Sequence, residues 1–149
     1  LFLNMYRAYE TLSAPVHDMI DGLIAIHDGD KVWRGRQGKK VSGTLPRSEH
    51  PVVRIHPVTG RKALYVNRGM TLCVEGMARA ESDALLLKLF EHAEQTRFQY
   101  CHVWKPGDLV MWDNRCTLHR ATPFDDTVHK RDMRRTTVDE FAPSWAMVG

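Results

Sequence analysis

Apolar side chains in residues 1–27 recur at helical spacing, first Leu3, Met5, Tyr6 and Tyr9, then Val16, Met19, Ile20, Leu23 and Ile24 on one stripe. Ser13 followed by Pro15 supplies an N-cap and a first-turn proline, so the pattern predicts two helices, the second running to about His27. Residues 28–49 lose the periodicity. They hold five glycines or prolines and the basic run Arg34–Lys40 (RGRQGKK), which predicts a long loop. Such a loop is a solvated connector, a mobile lid over a site or, given its charge, a nucleic-acid contact. From His50 the period shortens to two: Val52–His56, the turn Pro57–Gly60, Ala63–Asn67 and Thr71–Glu75 read as strands and turns. Glu81–Gln95 is the clearest helix, with Ala84, Leu85, Leu87, Leu89 and Phe90 apolar and Ser82 near its start. Beyond it Phe98–Trp104, Leu109–Trp112, Cys116–Ala121 and Arg131–Val138 read as strands separated by the turns at Lys105–Asp108 and Asp113–Asn114. Many short strands around one long helix predict a mainly β, α+β domain of jelly-roll or cupin-like form lacking its opening strands. The whole of residues 1–149 reads as one domain.

Composition narrows the class. With 43% hydrophobic, 26% charged and 9% aromatic residues the chain is globular, and no apolar run approaches the roughly 18 residues of a membrane span. The formal charge of +3 balances 21 basic against 18 acidic residues, so nucleic acid is not an expected partner. Arg34–Lys40 also lacks the interleaved aromatics of a stacking platform. Cys73, Cys101 and Cys116, an odd number without a C-x-x-C, fit a reducing cytoplasm and small buried apolar roles. The chain begins at Leu1 in an apolar-aromatic stretch and is expected to be the C-terminal part of a longer protein.

The eight histidines offer candidate ligands and bases. His17 and His27 flank a predicted helix and His92 lies on one. His92-Ala93-Glu94 spells H-x-E, but positions i and i+2 of a helix point to different sides, so it is set aside as a metal motif. His119 stands in a dense arrangement, Trp112-Asp113-Asn114-Arg115-Cys116-Thr117-Leu118-His119, read as strand, turn, strand. Thr117 and His119 share one face and Cys116, Leu118 and Arg120 the other. In the last predicted strand Arg131, Met133, Arg135 and Thr137 share a face. If that face is interior, two guanidiniums require anionic partners that the strand does not supply. The alternative turns Asp132 and Arg134 inward.

Three strings carry a family resemblance: HPVVRIHPVTGRKALYVN (His50–Asn67), GDLVMWDNRCTLHRA (Gly107–Ala121) and KRDMRRTT (Lys130–Thr137). Together they resemble the taurine dioxygenase and 2,4-dichlorophenoxyacetate dioxygenase family of Fe(II)- and 2-oxoglutarate-dependent oxygenases. The resemblance implies a double-stranded β-helix, an iron held by two histidines and a carboxylate, and 2-oxoglutarate as co-substrate. By position, it implies that His119 is the C-terminal iron-binding histidine and that Arg131 pairs with the distal carboxylate of 2-oxoglutarate. Arg135 is implied to face an anionic group on the substrate, and Met70 stands where the taurine-type enzymes place an aromatic wall. The expected reaction hydroxylates a small sulfonate, alkyl sulfate or aryloxy acid with dioxygen, releasing succinate and carbon dioxide. A homo-oligomer is usual in the family. The H-x-D/E motif that supplies the other two iron ligands has no counterpart here, and one histidine cannot make a facial triad. A non-catalytic remnant of the same fold, acting as an anion-binding or oligomerisation module, is the rival expectation.

Overall fold

Asn4 decides how the chain starts. Its side chain accepts from the Arg7 backbone N–H at 3.1 Å and caps the first helix, so the residues before it are released to pair as a strand. The computed structural model describes residues 1–29, 31 and 46–138. In chain order these form β1 (Phe2–Asn4), α1 (Met5–Glu10), α2 (Ala14–Ile20), β2 (Ile24–Asp28), β3 (Arg47–Pro51), β4 (Val53–Ile55), β5 (Lys62–Leu64) and β6 (Thr71–Val74). The long helix α3 (Arg79–Ala93), a 3₁₀ turn (Thr96–Phe98), β7 (Gln99–Tyr100) and β8 (Thr117–His119) complete them.

The described strands make a three-stranded sheet β7-β1-β8, a second β3-β2-β6 and the hairpin β4-β5, all antiparallel. β1 is central in the first sheet, with Phe2 opposite both Tyr100 and His119. β2 is central in the second and shifts register between Ile26 and His27 against β6. Helix α1 packs on β5 and α3, and α3 packs on β6. Met5, Ile20, Val52, Leu64, Val66, Val74 and Leu89 are the largest fully buried apolar side chains of the core.

Several predicted boundaries move. The stripe from Val16 to Ile24 is not one helix: α2 ends at Ile20, Gly22 turns the chain at φ 83°, and Ile24–Asp28 is a strand paired on both edges. Pairing on two sides outweighs a short helical stripe that includes the exposed Met19. Residues 1–4 likewise join a sheet rather than a helix. The predicted loop 28–49 loses Asp28 to β2 and Arg47–Glu49 to β3, while residues 30 and 32–45, including the RGRQGKK run, lie outside the described residues. Of the expected strand Phe98–Trp104 only Gln99–Tyr100 pairs, and Leu109–Trp112 forms no strand, with Leu109 and Met111 exposed. A short extended segment without a paired neighbour gains no ladder hydrogen bonds, so alternation alone does not make it a strand.

Ser13 occupies the N-cap position of α2 with Pro15 in its first turn, as expected, but its side chain makes no capping hydrogen bond. Ser82 has a different role from the one its position near the start of α3 suggests. It lies inside the helix, fully buried, and its hydroxyl accepts from the Val74 backbone N–H at 2.8 Å, tying α3 to β6. Ser82→Ala leaves that buried N–H unsatisfied and should destabilise the fold by about 1–3 kcal/mol, read as a lowered denaturation midpoint with unchanged slope.

Candidate active site around His119

The segment leading to His119 is fixed first at a turn. Asp113 accepts from the Arg115 backbone N–H at 2.8 Å, and the Arg115 side chain grips the same carboxylate through Nε (2.9 and 3.0 Å) and Nη2 (2.6 Å). His56, buried at the end of β4, reaches across and places Nε2 3.0 Å from Asp113 Oδ2. The other ring nitrogen, Nδ1, accepts from the Val58 and Thr59 backbone N–H groups at 3.2 Å each. A nitrogen that accepts carries no proton, so the ring is the Nε2–H tautomer and donates to Asp113. The Arg115 guanidinium holds the Asp113 carboxyl well below the usual carboxylate range, against the opposing effect of partial burial.

From this turn the chain enters β8. The Cys116 carbonyl accepts from the Met5 N–H at 3.0 Å, and at the far end Arg120 N–H donates to the Leu1 carbonyl at 3.0 Å. Leu118 and Cys116 pack toward the core, and His119 lies on the opposite face of the strand, exposed rather than turned inward. There its ring lies 4.8 Å from Trp112 and 6.3 Å from Phe2, centroid to centroid. The Trp112 indole is itself directed by a 2.9 Å hydrogen bond from Nε1 to Asn114 Oδ1 in the same turn.

His119 is not joined by the other residues singled out from sequence. Residues 131–138 form no strand, so the shared face expected for Arg131 and Arg135 is not formed. Both arginines are exposed, and Arg131 Nε lies 2.8 Å from Met133 Sδ. The cause is again pairing: among the described residues no strand borders this segment, and period-two alternation has no sheet to act on. Met70, partly exposed, sits in the turn before β6, with its N–H on Asn67 Oδ1 and its carbonyl accepting from Asp28 N–H. His92 points to the first helix, Nε2 lying 2.9 Å from the Ala8 carbonyl, while Glu94 pairs with Arg68, so H-x-E on this helix indeed diverges.

Sequence reasoning gave His56, Asp113 and Arg115 no role. The available signal was Asp-Asn-Arg at a turn directly ahead of the candidate ligand, but the partner His56 is 57 residues away. His56, Asp113 and Cys116 place possible ligand atoms within 4.8 Å of one another. They do not fit a cation, because the guanidinium already occupies both carboxylate oxygens and both imidazole nitrogens are engaged. For iron, His119 offers a single imidazole donor; the rest of a facial triad is not assembled among the described residues.

The chain belongs to the family described as taurine catabolism dioxygenase TauD, TfdA, which it matches over residues 1–137. It is 37% identical over 147 residues to the alpha-ketoglutarate-dependent 2,4-dichlorophenoxyacetate dioxygenase of Cupriavidus pinatubonensis, covering 93% of this chain and 50% of that protein. The alpha-ketoglutarate-dependent sulfonate dioxygenase of Saccharomyces cerevisiae is 32% identical over 142 residues, covering 91% of this chain and 34% of its own length. The chain thus spans half or less of these curated relatives. The crystal structure of AAD-2 in complex with Mn(II) and N-oxalylglycine superposes with a TM-score of 0.85 at 36% identity, over 96% of this chain and 57% of that one. No helix of the described residues is long and apolar enough to cross a membrane.

A second histidine group carries a pH signature. His27, buried in β2, stacks on Tyr65, lies 4.9 Å from the His50 ring and has its Nε2 3.2 Å from Thr71 Oγ1. Burial, reinforced by the charge His50 can carry, lowers the pKa of His27 from 6.5 to about 4. The unfolded chain takes up this proton near pH 6.5 and the folded chain refuses it until about 4, so stability is full above that window and falls as the pH drops through it. The loss at the bottom is on the order of 3 kcal/mol. Urea titrations at stepped pH should show this decline in the parent chain and a flatter acid limb in His27→Gln.

Proposed function

We propose that this chain is the C-terminal portion of an Fe(II)- and 2-oxoglutarate-dependent dioxygenase with a double-stranded β-helix fold, hydroxylating a small anionic organic substrate. The observation that carries the reading is the placement of His119: on a strand fixed at both ends, on the face away from the core, within the string that resembles the family's iron-binding segment. Its likeness to a protein crystallised with Mn(II) and N-oxalylglycine supports the same reading. N-oxalylglycine has the skeleton of 2-oxoglutarate with one methylene replaced by NH.

In this reading His119 supplies one imidazole to the iron, and the two remaining ligands come from sequence beyond these 149 residues. Iron with 2-oxoglutarate, when bound, supplies the oxidising power that hydroxylates the substrate carbon and releases succinate and carbon dioxide. The protein's part is binding and exclusion of water. Arg131 offers the distal carboxylate of 2-oxoglutarate a two-pronged fork, a geometry lysine cannot reproduce. Arg135 meets the anionic group of the substrate, and Met70, a flexible thioether, forms a wall that tolerates different shapes. Relatives named for sulfonates and for 2,4-dichlorophenoxyacetate support a sulfonate, sulfate or aryloxy acid as substrate. A cytoplasmic location and a homo-oligomeric assembly complete the proposal.

The test uses the full-length enzyme with succinate formation as readout. His119→Ala should abolish iron-dependent turnover of 2-oxoglutarate, whereas His92→Ala, which loses contacts to Ala8 and Thr11 at the end of α1, should retain it in the folded fraction. Arg131→Lys should raise half-saturation by 2-oxoglutarate about tenfold. Across a panel of sulfonates, alkyl sulfates, aryloxyacetates and their neutral amides, Arg135→Ala should depress turnover of the acids selectively. Equal losses for the two histidine variants, or equal turnover of acids and amides by the parent enzyme, would contradict the reading.

A further inference from the structure

Resting on the reading of His119 as a metal ligand, we propose that His56 and Asp113 are positioning residues for it, acting across the fold through the turn that launches β8. Neither residue is called on to touch metal or substrate. Asp113 is the meeting point of three constraints: the Arg115 backbone, the Arg115 fork and the His56 ring. His56 is in turn fixed by two backbone N–H groups of the hairpin turn after β4 and by the Tyr6 ring, 6.0 Å away edge-on. Tyr6 belongs to α1, and its hydroxyl lies 3.0 Å from Thr59 Oγ1. Three elements, the β4-β5 hairpin, α1 and the 113–116 turn, are thereby locked around one imidazole.

The consequence falls on His119 because it lies at the end of a strand only three residues long. A slip of one residue in so short a strand would send His119 to the core face and Leu118 outward. Its pairing with β1 spans Thr117 to His119 and is flanked by the Met5 N–H bond to the Cys116 carbonyl and by the bonds between Leu1 and Arg120, while the side-chain lock at Asp113 fixes the turn from which the strand starts. The same turn orients Trp112, the ring nearest to His119. Outer contacts that orient a ligand histidine commonly alter metal affinity by about 10–100-fold when removed. Here the contact is one step more remote, and the lower end of that range is expected.

Two variants separate positioning from bulk stability, because asparagine and glutamine each reproduce one nitrogen of the ring. His56→Asn keeps an acceptor for the Val58 and Thr59 amides but cannot reach Asp113. His56→Gln reaches Asp113 with its amide NH₂ and surrenders the turn cap. In the full-length protein, Mn(II) affinity with 2-oxoglutarate present is measured by electron paramagnetic resonance, alongside the melting temperature. His56→Asn should weaken Mn(II) binding about tenfold with little loss of melting temperature, and His56→Gln should restore binding to near the parent value at a lower melting temperature. Parent-like Mn(II) binding by His56→Asn, or affinities that simply follow melting temperature in both variants, would overturn the proposal. His119→Ala serves as the reference. If it loses Mn(II) while His56→Asn does not, positioning alone fails; if it keeps Mn(II), the metal-ligand reading fails and takes the proposal with it.

Discussion

The Asp113 carboxylate holds the guanidinium of Arg115 on one side and the Nε2–H of His56 on the other, and so ties the turn ahead of His119 to the hairpin after β4. A half-buried carboxylate is stable only with its charge answered and its lone pairs used. Arg115 answers the charge, and the hydrogen bond to His56 is a neutral ring donating, so the cluster carries no excess charge into the fold. The lock joins parts of the chain 57 residues apart at the point where the irregular segment 101–112 gives way to a strand.

From there the geometry follows by short steps. β8 pairs with β1, whose own end is closed by reciprocal hydrogen bonds between Leu1 and Arg120. β1 leads directly through the Asn4 cap into α1, and α1 packs on β5 and on α3. α3 in turn is bonded to β6 through Ser82. Leu118 packs against the core that these helices build, and His119 lies on the opposite face of its strand. The same lock also explains why the most compact group of metal-ligating side chains in the described residues, His56 with Asp113 and Cys116, is a structural joint rather than a cation site.

What could be read from sequence sorts by the range of the interaction behind it. Local devices were legible: the helix start at Ser13 and Pro15, the long helix with Leu85, Leu89 and Phe90 inward, and the opposite faces of Leu118 and His119. The family, too, was legible from three strings whose residue order is specific. Pairing over distance was not. Ile24–Asp28 carried a helical stripe and became a central strand because two neighbours claimed it, and Arg131–Val138 alternated like a strand yet pairs with nothing among the described residues. His56 escaped notice for the same reason, since its chemistry is set by a carboxylate that only the fold brings to it.

On the proposed reading, metal binds on His119, and the His56–Asp113–Arg115 lock holds that ligand in place without binding metal itself. Anomalous X-ray scattering at the manganese edge from crystals of the full-length protein grown with Mn(II) and N-oxalylglycine tests it directly. The account predicts an anomalous peak at coordination distance from the His119 imidazole, with the Arg115 fork still on Asp113. A peak between His56, Asp113 and Cys116, or a metal site to which His119 contributes nothing, would contradict it.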